Sequence, residues 1–140
     1  MNGNRVRVFF DTNIIVYGYS DDDPVKKRKA VQTLNEYHSF ISTQVLNEFC
    51  NVCIRDLERS ESEIQECIDE LQTICDLYIT DANTVARALK IRARYRYSYY
   101  DCLILASALE CGCAYLFSED MRDGQVIAGM TIRNIFREAG

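Results

Sequence analysis

The sequence predicts an α/β fold in which a mainly parallel central sheet is flanked by helices on both faces, within one domain spanning residues 1–140. Short apolar runs of strand length alternate along the chain with longer segments in which apolar residues recur at helical spacing. The chain has 140 residues, 48% of them hydrophobic and 26% charged, so it is long enough to bury one core. It contains no linker, repeat or low-complexity tract that would divide it.

Apolar patterns and capping residues define the elements of the first half. Residues 6–10 form a predicted buried strand, and a helix begins near Ile14. Asp23-Pro24 has the N-cap and first-turn signature of a second helix, whose basic run from Lys26 to Lys29 is expected to face solvent. Next come a strand over residues 39–42, a helix capped by Ser42 or Thr43 that reaches Leu57, and a helix that begins with the capping box Ser60-Glu61-Ser62-Glu63 and reaches Ile74.

The second half continues the alternation. A brief strand over residues 77–80 precedes a helix capped by Asp81, which runs into a basic segment. Ser98 begins the most apolar helix, from residue 99 to about residue 110, and Gly112 marks its end. A strand over residues 114–117, a loop over 118–129 and a last strand over 131–136 complete the prediction.

Bulk composition narrows the class of protein. Seven cysteines, an odd number, lie mostly in apolar helical patterns, and neither a secretion signal nor a membrane-spanning run is visible, so we expect reduced thiols and a cytoplasmic protein. Cys50 and Cys53 form a C-x-x-C in mid-helix and the only histidine is His38, which disfavours a zinc–thiolate site. The net charge of −5 disfavours a generally basic nucleic-acid binder, although residues 85–100 carry five cationic side chains and no acid.

Four acidic residues lie where a solvated helix face does not explain them. Asp11 and Asp120 follow predicted strands, Asp101 stands in the first turn of the most apolar helix, and Glu48 lies beside the apolar stripe of its helix. Because strand ends and the starts of the following helices gather at one edge of a parallel sheet, the four carboxylates are expected to converge there.

Each acid also has a purely structural explanation, which the sequence leaves open. These explanations are a helix cap by Asp11 or Asn13, a capping box between Ser98 and Asp101, a position for Glu48 at the margin of the core, and a polar turn joining Asp120 to Asp123 and Gly124.

Converging carboxylates repel one another and need a cation to remain ionised together. An oxygen-rich cluster with few histidines suits Mg²⁺ or Mn²⁺, ions that typically serve phosphoryl chemistry by activating water. A water nucleophile also agrees with the lack of a protein nucleophile paired with a base, since His38 is alone and no G-x-S-x-G occurs. The absence of a P-loop and of G-x-G-x-x-G argues against a nucleotide cofactor.

Four short blocks occur in order along the chain: Asp11-Thr12-Asn13, Thr43-Gln44-Val45-Leu46-Asn47-Glu48-Phe49, Tyr100-Asp101-Cys102-Leu103-Ile104-Leu105-Ala106-Ser107-Ala108 and Leu116-Phe117-Ser118-Glu119-Asp120. Together they resemble the PIN-domain ribonucleases, and most closely the VapC-type toxins of bacterial toxin–antitoxin pairs. Each block is weak alone, but the ordered set covers nearly the whole chain.

The resemblance implies a PIN-like domain and an endoribonuclease that depends on Mg²⁺ or Mn²⁺. Its acidic quartet maps onto Asp11, Glu48, Asp101 and Asp120. Asp11, Asp101 and Asp120 would hold the metal, and Glu48 would be a ligand or orient the attacking water. Three further residues fall at supporting positions: Asn13, Ser118 and Asp123, the last of which could replace Asp120.

RNA would reach this cluster past the basic segment, where Arg and Tyr alternate in a manner suited to phosphates and splayed bases. The candidates for RNA contact are Arg92, Arg94, Arg96 and Tyr97. The resemblance further implies a VapB-like antitoxin and a homodimer. The competing interpretations are a PIN-like nuclease for RNA or DNA processing outside a toxin–antitoxin pair, and a noncatalytic interaction module with the same fold.

Overall fold

The fold is α/β, as predicted. A computed structural model describes residues 4–137, so the first and last three residues of the predicted domain lie outside the described part of the chain. Its elements are β1 (Arg7–Phe10), α1 (Thr12–Tyr19), α2 (Pro24–Glu36), β2 (His38–Ser42), α3 (Thr43–Arg55), α4 (Glu61–Ile74), β3 (Asp76–Tyr78), α5 (Ala82–Tyr95), α6 (Tyr99–Glu110), β4 (Tyr115–Phe117), β5 (Val126–Ile127), β6 (Met130–Arg133) and a 3₁₀ turn (Ile135–Arg137).

The central sheet has the strand order β3-β2-β1-β4-β6-β5, and only the β5–β6 pair is antiparallel. Strand β1 lies between β2 and β4, and its residues Val8, Phe9 and Phe10 are fully buried. Phe10 pairs with Phe117 at the ends of β1 and β4. Because the main strands run parallel, their carboxyl ends share one edge of the sheet, and the chain leaves β1 and β4 there side by side.

Side-chain caps begin the helices that follow the strands. Asp11 caps α1, and the hydroxyl of Ser42 accepts a hydrogen bond from the backbone N–H of Val45 to cap α3. Ser98 caps α6 in the same way through the N–H of Asp101. Residues 102–108 of α6 are all buried, which agrees with its apolar sequence. These caps fix where each helix starts at the edge of the sheet.

The structure corrects several predicted boundaries. Helix α1 starts at Thr12 rather than Ile14, because Asp11 caps it directly. The predicted loop over residues 118–129 contains β5, which forms a tight hairpin with β6, and the turn places Gly129 at a φ of +85°. The last strand ends at Arg133 rather than residue 136, because the Asn134 side chain accepts from the N–H of Phe136 and starts a 3₁₀ turn.

Two further features are the state of the cysteines and the character of the helices. All seven cysteines are free thiols, and Cys53, Cys75, Cys102, Cys111 and Cys113 are buried. Across residues 4–137, every helix is too short or too polar to cross a membrane.

We expect the middle of β4 to be the most sensitive part of the sheet. Leu116 is fully buried between β1 and β6, so Leu116→Ala should lower the free energy of unfolding by about 2 to 5 kcal/mol. Val126→Ala on the exposed side of β5 should change it by no more than about 0.5 kcal/mol. Urea unfolding followed by circular dichroism measures both, and equal effects would contradict this placement of the core.

Candidate active site

A pocket of about 510 Å³ opens at the carboxyl edge of the sheet. The four acids singled out in the sequence all line it, although they come from four separate segments of the chain. The lining residues are Asp11, Thr12, Asn13, Val16, Tyr17, Glu48, Asn51, Val52, Asp101 and Asp120. The convergence expected from strand ends and helix starts is therefore present.

Asp11 is the most buried of the four acids, with only 6% of its surface exposed. Its Oδ1 accepts from the N–H of Thr12 at 2.7 Å, and its Oδ2 accepts from the hydroxyl of Ser118 at 2.8 Å. Its own N–H donates to the carbonyl of Phe117 at 2.9 Å. Asp11 is thus both a helix cap and a wall of the pocket, so the two interpretations left open by the sequence are compatible.

Burial raises the pKa of Asp11 to about 7, because the ionised carboxylate has lost most of its water. The hydrogen bonds from Ser118 and Thr12 act in the opposite direction, and the negative charges of Asp101 and Glu48 raise the pKa further. The carboxylate is therefore held where its charge is unfavourable unless a cation lies nearby.

Glu48 is fixed by two neutral neighbours. The Thr12 hydroxyl donates to its Oε1 at 2.5 Å, and the Gln44 side-chain amide lies 3.4 Å from its Oε2. That amide also donates to the backbone carbonyl of Tyr100 at 3.1 Å, and so ties α3 to the start of α6. Both neighbours orient the carboxylate without neutralising it.

Asp101 and Asp120 form the more open side of the pocket. Asp101 is half-buried, and burial raises its pKa; the Ser98 hydroxyl counteracts this shift, while the charges of Asp120 and Glu48 add to it. Asp120 is exposed and its Oδ2 accepts from the Asn13 amide at 2.8 Å. The Ser118 hydroxyl accepts from the N–H of Asp120. Hydrogen bonds therefore fix both the backbone and the side chain of Asp120.

Asp123 has a different environment from Asp120. Its Oδ1 accepts from the N–H of Asn134 at 2.8 Å, a contact that joins the loop to the end of β6. It is exposed and is absent from the lining of the acidic pocket. This geometry favours Asp120 over Asp123 as the fourth acid.

The donors around the pocket fit a hard divalent cation, because they are carboxylate, amide and hydroxyl oxygens. Over residues 4–137, no three His, Cys, Asp or Glu side chains close around a single point. Mg²⁺ usually takes only one or two protein carboxylates and keeps several waters, so it does not require such a group of three. Asn13 Oδ1 is buried and has no hydrogen-bond partner among the described residues, which leaves an acceptor for such a hydration shell.

The basic segment lies outside the acidic pocket. Arg92, Arg94 and Arg96 are exposed, and the first and last of them line a separate shallow cavity with Ala93. Arg96 adopts a left-handed conformation at the end of α5, with φ of 62°. The half-buried Tyr97 donates its hydroxyl proton to Gln125 and accepts from the N–H of Arg122, so its hydroxyl holds the loop after β4. Contact of these four residues with RNA stays a prediction.

Sequence reasoning missed the role of neutral and paired side chains around the acids. Thr12 and Gln44 hold Glu48. The only signals for them in the sequence were that Thr12 directly follows Asp11 and that Gln44 precedes Glu48 by one helical turn. Lys26, expected on a solvent-exposed face, is instead half-buried. It forms an ion pair with Glu119, whose other oxygen accepts from the Tyr17 hydroxyl at 2.6 Å.

Comparison with known proteins agrees with this architecture. A family model described as PIN domain matches residues 8–125. No curated sequence matches the chain significantly.

Several solved structures share the fold. A toxin–antitoxin complex from Klebsiella pneumoniae has a TM-score of 0.71 at 22% identity, over 91% of this chain and 97% of that chain. VapBC2 from Rickettsia felis, bound to a promoter DNA fragment, has a TM-score of 0.69 at 16% identity, over 92% and 98%. VapC20 from Mycobacterium tuberculosis, a toxin that cleaves the sarcin–ricin loop, has a TM-score of 0.65 at 18% identity, over 81% and 91%. At these identities the likeness is one of fold.

We expect the stability of the metal-free protein to fall as the pH rises from 5 to 8. The folded pKa of Asp11, about 7, exceeds its unfolded value, so its contribution is complete below the unfolded pKa and is lost as the pH rises through about 7. The expected loss is about 2 to 3 kcal/mol. Urea unfolding in EDTA measures it, and Asp11→Asn should remove this part of the slope. Parallel slopes for both proteins would contradict the assignment.

Proposed function

The chain belongs to the PIN-domain family, and on that premise we propose that it is a metal-dependent endoribonuclease of the VapC toxin type. The observation that carries the proposal is the composition of the pocket. Four carboxylates line it and, among the described residues, no Lys, Arg or His does. Such a site leaves its negative charge available to a cation rather than to an ion pair within the protein.

Asp11, Asp101 and Asp120 are the residues that would hold Mg²⁺ or Mn²⁺, directly or through water. The cation supplies polarisation of the scissile phosphate and a lower pKa for the attacking water. Glu48, oriented by Thr12 and Gln44, positions that water and accepts its proton. Ser118 and Asn13 support the site because they hold Asp11 and Asp120 by neutral hydrogen bonds.

The proposed substrate is single-stranded RNA. Arg92, Arg94 and Arg96 are exposed on and just after the last turn of α5, immediately before the α6 start that carries Asp101. They are suited to phosphate contacts along the approach to the pocket, and Tyr97 adds an aromatic ring to the same segment.

The proposed partners are a VapB-like antitoxin and a second copy of the chain. Support comes from the similar folds of the Klebsiella toxin–antitoxin complex and the Rickettsia VapBC2 complex. We further propose a cytoplasmic location, where such a toxin would meet its RNA substrate. A PIN-like nuclease that acts outside a toxin–antitoxin pair is the alternative; growth arrest on expression, relieved by the product of a neighbouring gene, would favour the toxin.

We expect Asp11→Asn to abolish metal-dependent cleavage. Loss of a buried carboxylate from the metal site should lower kcat/KM by about a hundredfold or more, while the fold is retained because asparagine can also cap α1. The measurement is cleavage of a labelled single-stranded RNA with Mn²⁺, with and without EDTA.

Wild-type cleavage that survives EDTA, or cleavage by Asp11→Asn at the wild-type rate, would rule out the metal-nuclease proposal. Absence of both cleavage and metal binding by the wild type would favour a noncatalytic interaction module. Circular dichroism of the variant confirms that a loss of activity is not a loss of fold.

Asp120 and Asp123 provide a matched pair of substitutions within one loop. We expect Asp120→Asn to lower kcat/KM by about tenfold or more, because it lines the acidic pocket. Asp123→Asn should leave cleavage near the wild-type value, since Asp123 bonds the N–H of Asn134 instead. Cleavage rates for both variants at saturating Mn²⁺ test this, and the reverse order would make Asp123 the fourth acid.

A further inference from the structure

A second cavity, of about 500 Å³, adjoins the acidic pocket. The two share Glu48 and Asn51, so a chain bound across the acids can extend directly into the second cavity. The cavity is lined by Thr43, Gln44, Asn47, Glu48, Asn51, Thr80, Tyr100 and Leu103. We name it the amide cavity, because three of these side chains are carboxamides.

The carboxamides lie on one helix. Gln44, Asn47 and Asn51 project from α3 at helical spacing. Gln44 is 92% buried by surface, and its Oε1 has no hydrogen-bond partner among the described residues. A carboxamide both donates and accepts, which matches the alternating donors and acceptors on the edge of a nucleobase.

Tyr100 supplies a flat apolar surface at the same cavity. Its side chain is 62% exposed, which is high for a large aromatic residue at the start of the most apolar helix. Its ring meets that of Tyr99 edge to face, with centroids 5.4 Å apart, so the position of the ring is constrained. An exposed and oriented aromatic ring is the usual platform for an unstacked base.

The charges that line the cavity favour a neutral base over a phosphate. Within the described chain, its lining contains no Lys, Arg or His, and the one ionisable acid is Glu48. A phosphate would meet a carboxylate and no compensating cation, whereas a neutral base meets amides, hydroxyls and a ring.

We propose that the amide cavity binds one nucleobase of the RNA strand, next to the scissile phosphate, by stacking on Tyr100 and hydrogen bonds to the exposed Asn47. The inference rests on the proposed ribonuclease function and assigns its sequence preference to this site. Gln44 also contacts Glu48, so a base seated in the cavity touches the same amide that orients the carboxylate.

The test is cleavage of a randomised single-stranded RNA pool with Mn²⁺, followed by sequencing of the new ends. Wild-type protein is compared with Asn47→Ala, Tyr100→Ala, Tyr100→Phe and Asn35→Ala. Asn47 is exposed and lines the amide cavity but not the acidic pocket. Asn35 is an exposed asparagine on α2 that contacts Val31 and does not line the amide cavity.

We expect the wild type to prefer one base at a single position beside the cut. Asn47→Ala should flatten that preference, and Tyr100→Ala should raise KM about tenfold with a smaller change in kcat. Tyr100→Phe keeps the ring, and it should resemble the wild type, as should Asn35→Ala. Wild-type preference and KM in both Asn47→Ala and Tyr100→Ala would overturn the inference while leaving the ribonuclease proposal intact.

Failure of the ribonuclease proposal would be visible separately, as a wild type that cuts no RNA. Fluorescence anisotropy with labelled oligonucleotides of each base then tests the cavity without cleavage. Base-dependent binding that Asn47→Ala and Tyr100→Ala weaken would support the site, and binding equal for all bases and variants would overturn it. Thermal unfolding of each variant excludes a general loss of fold.

Discussion

The site depends on one buried hydrogen bond, from the Ser118 hydroxyl to the Asp11 carboxylate, at the point where β1 and β4 end side by side. Burying a carboxylate is costly, and two hydrogen bonds offset part of that cost. The Ser118 hydroxyl also accepts from the N–H groups of Asp120 and Met121. The Ser118 hydroxyl thus links the carboxylate that follows β1 to the backbone of the loop that carries Asp120.

Neutral groups hold three of the four acids that line the pocket. Ser118 holds Asp11, Thr12 holds Glu48, and the Asn13 amide holds Asp120. Such donors fix direction without cancelling charge, so burial, and to a smaller extent the negative charges of Asp101 and Glu48, keep the pKa of Asp11 raised. Lys26 is held by Glu119 and Tyr17 and does not line the acidic pocket. The acidic pocket therefore carries excess negative charge, which a divalent ion would neutralise.

The fold and the convergence of the acids were predictable because both follow from periodicity. Strands such as residues 6–10 are short apolar runs with a polar end, and parallel strand ends must share an edge. The β5–β6 hairpin was missed because Val126 and Ile127 are two apolar residues inside a polar loop, too few for a pattern. The last strand was predicted to be too long because Ile135 and Phe136 continue the apolar run. The Asn134 side chain instead begins a 3₁₀ turn there. Contacts between residues far apart in sequence, such as the ion pair of Lys26 with Glu119, leave no periodic pattern and could not be predicted in this way.

Helix α3 explains how recognition and chemistry can be coupled in so small a domain. Val45, Phe49 and Cys53 pack one face of the helix against the core, so the polar face beside it has little freedom to shift. Gln44 and Glu48 are four residues apart on that polar face, and therefore neighbours one helical turn apart. The amide that lines one cavity is thus in contact with the carboxylate that lines both. Because one rigid helix carries both groups, a base bound in the amide cavity would affect the position of Glu48 through this direct contact. No loop or domain needs to move for that coupling.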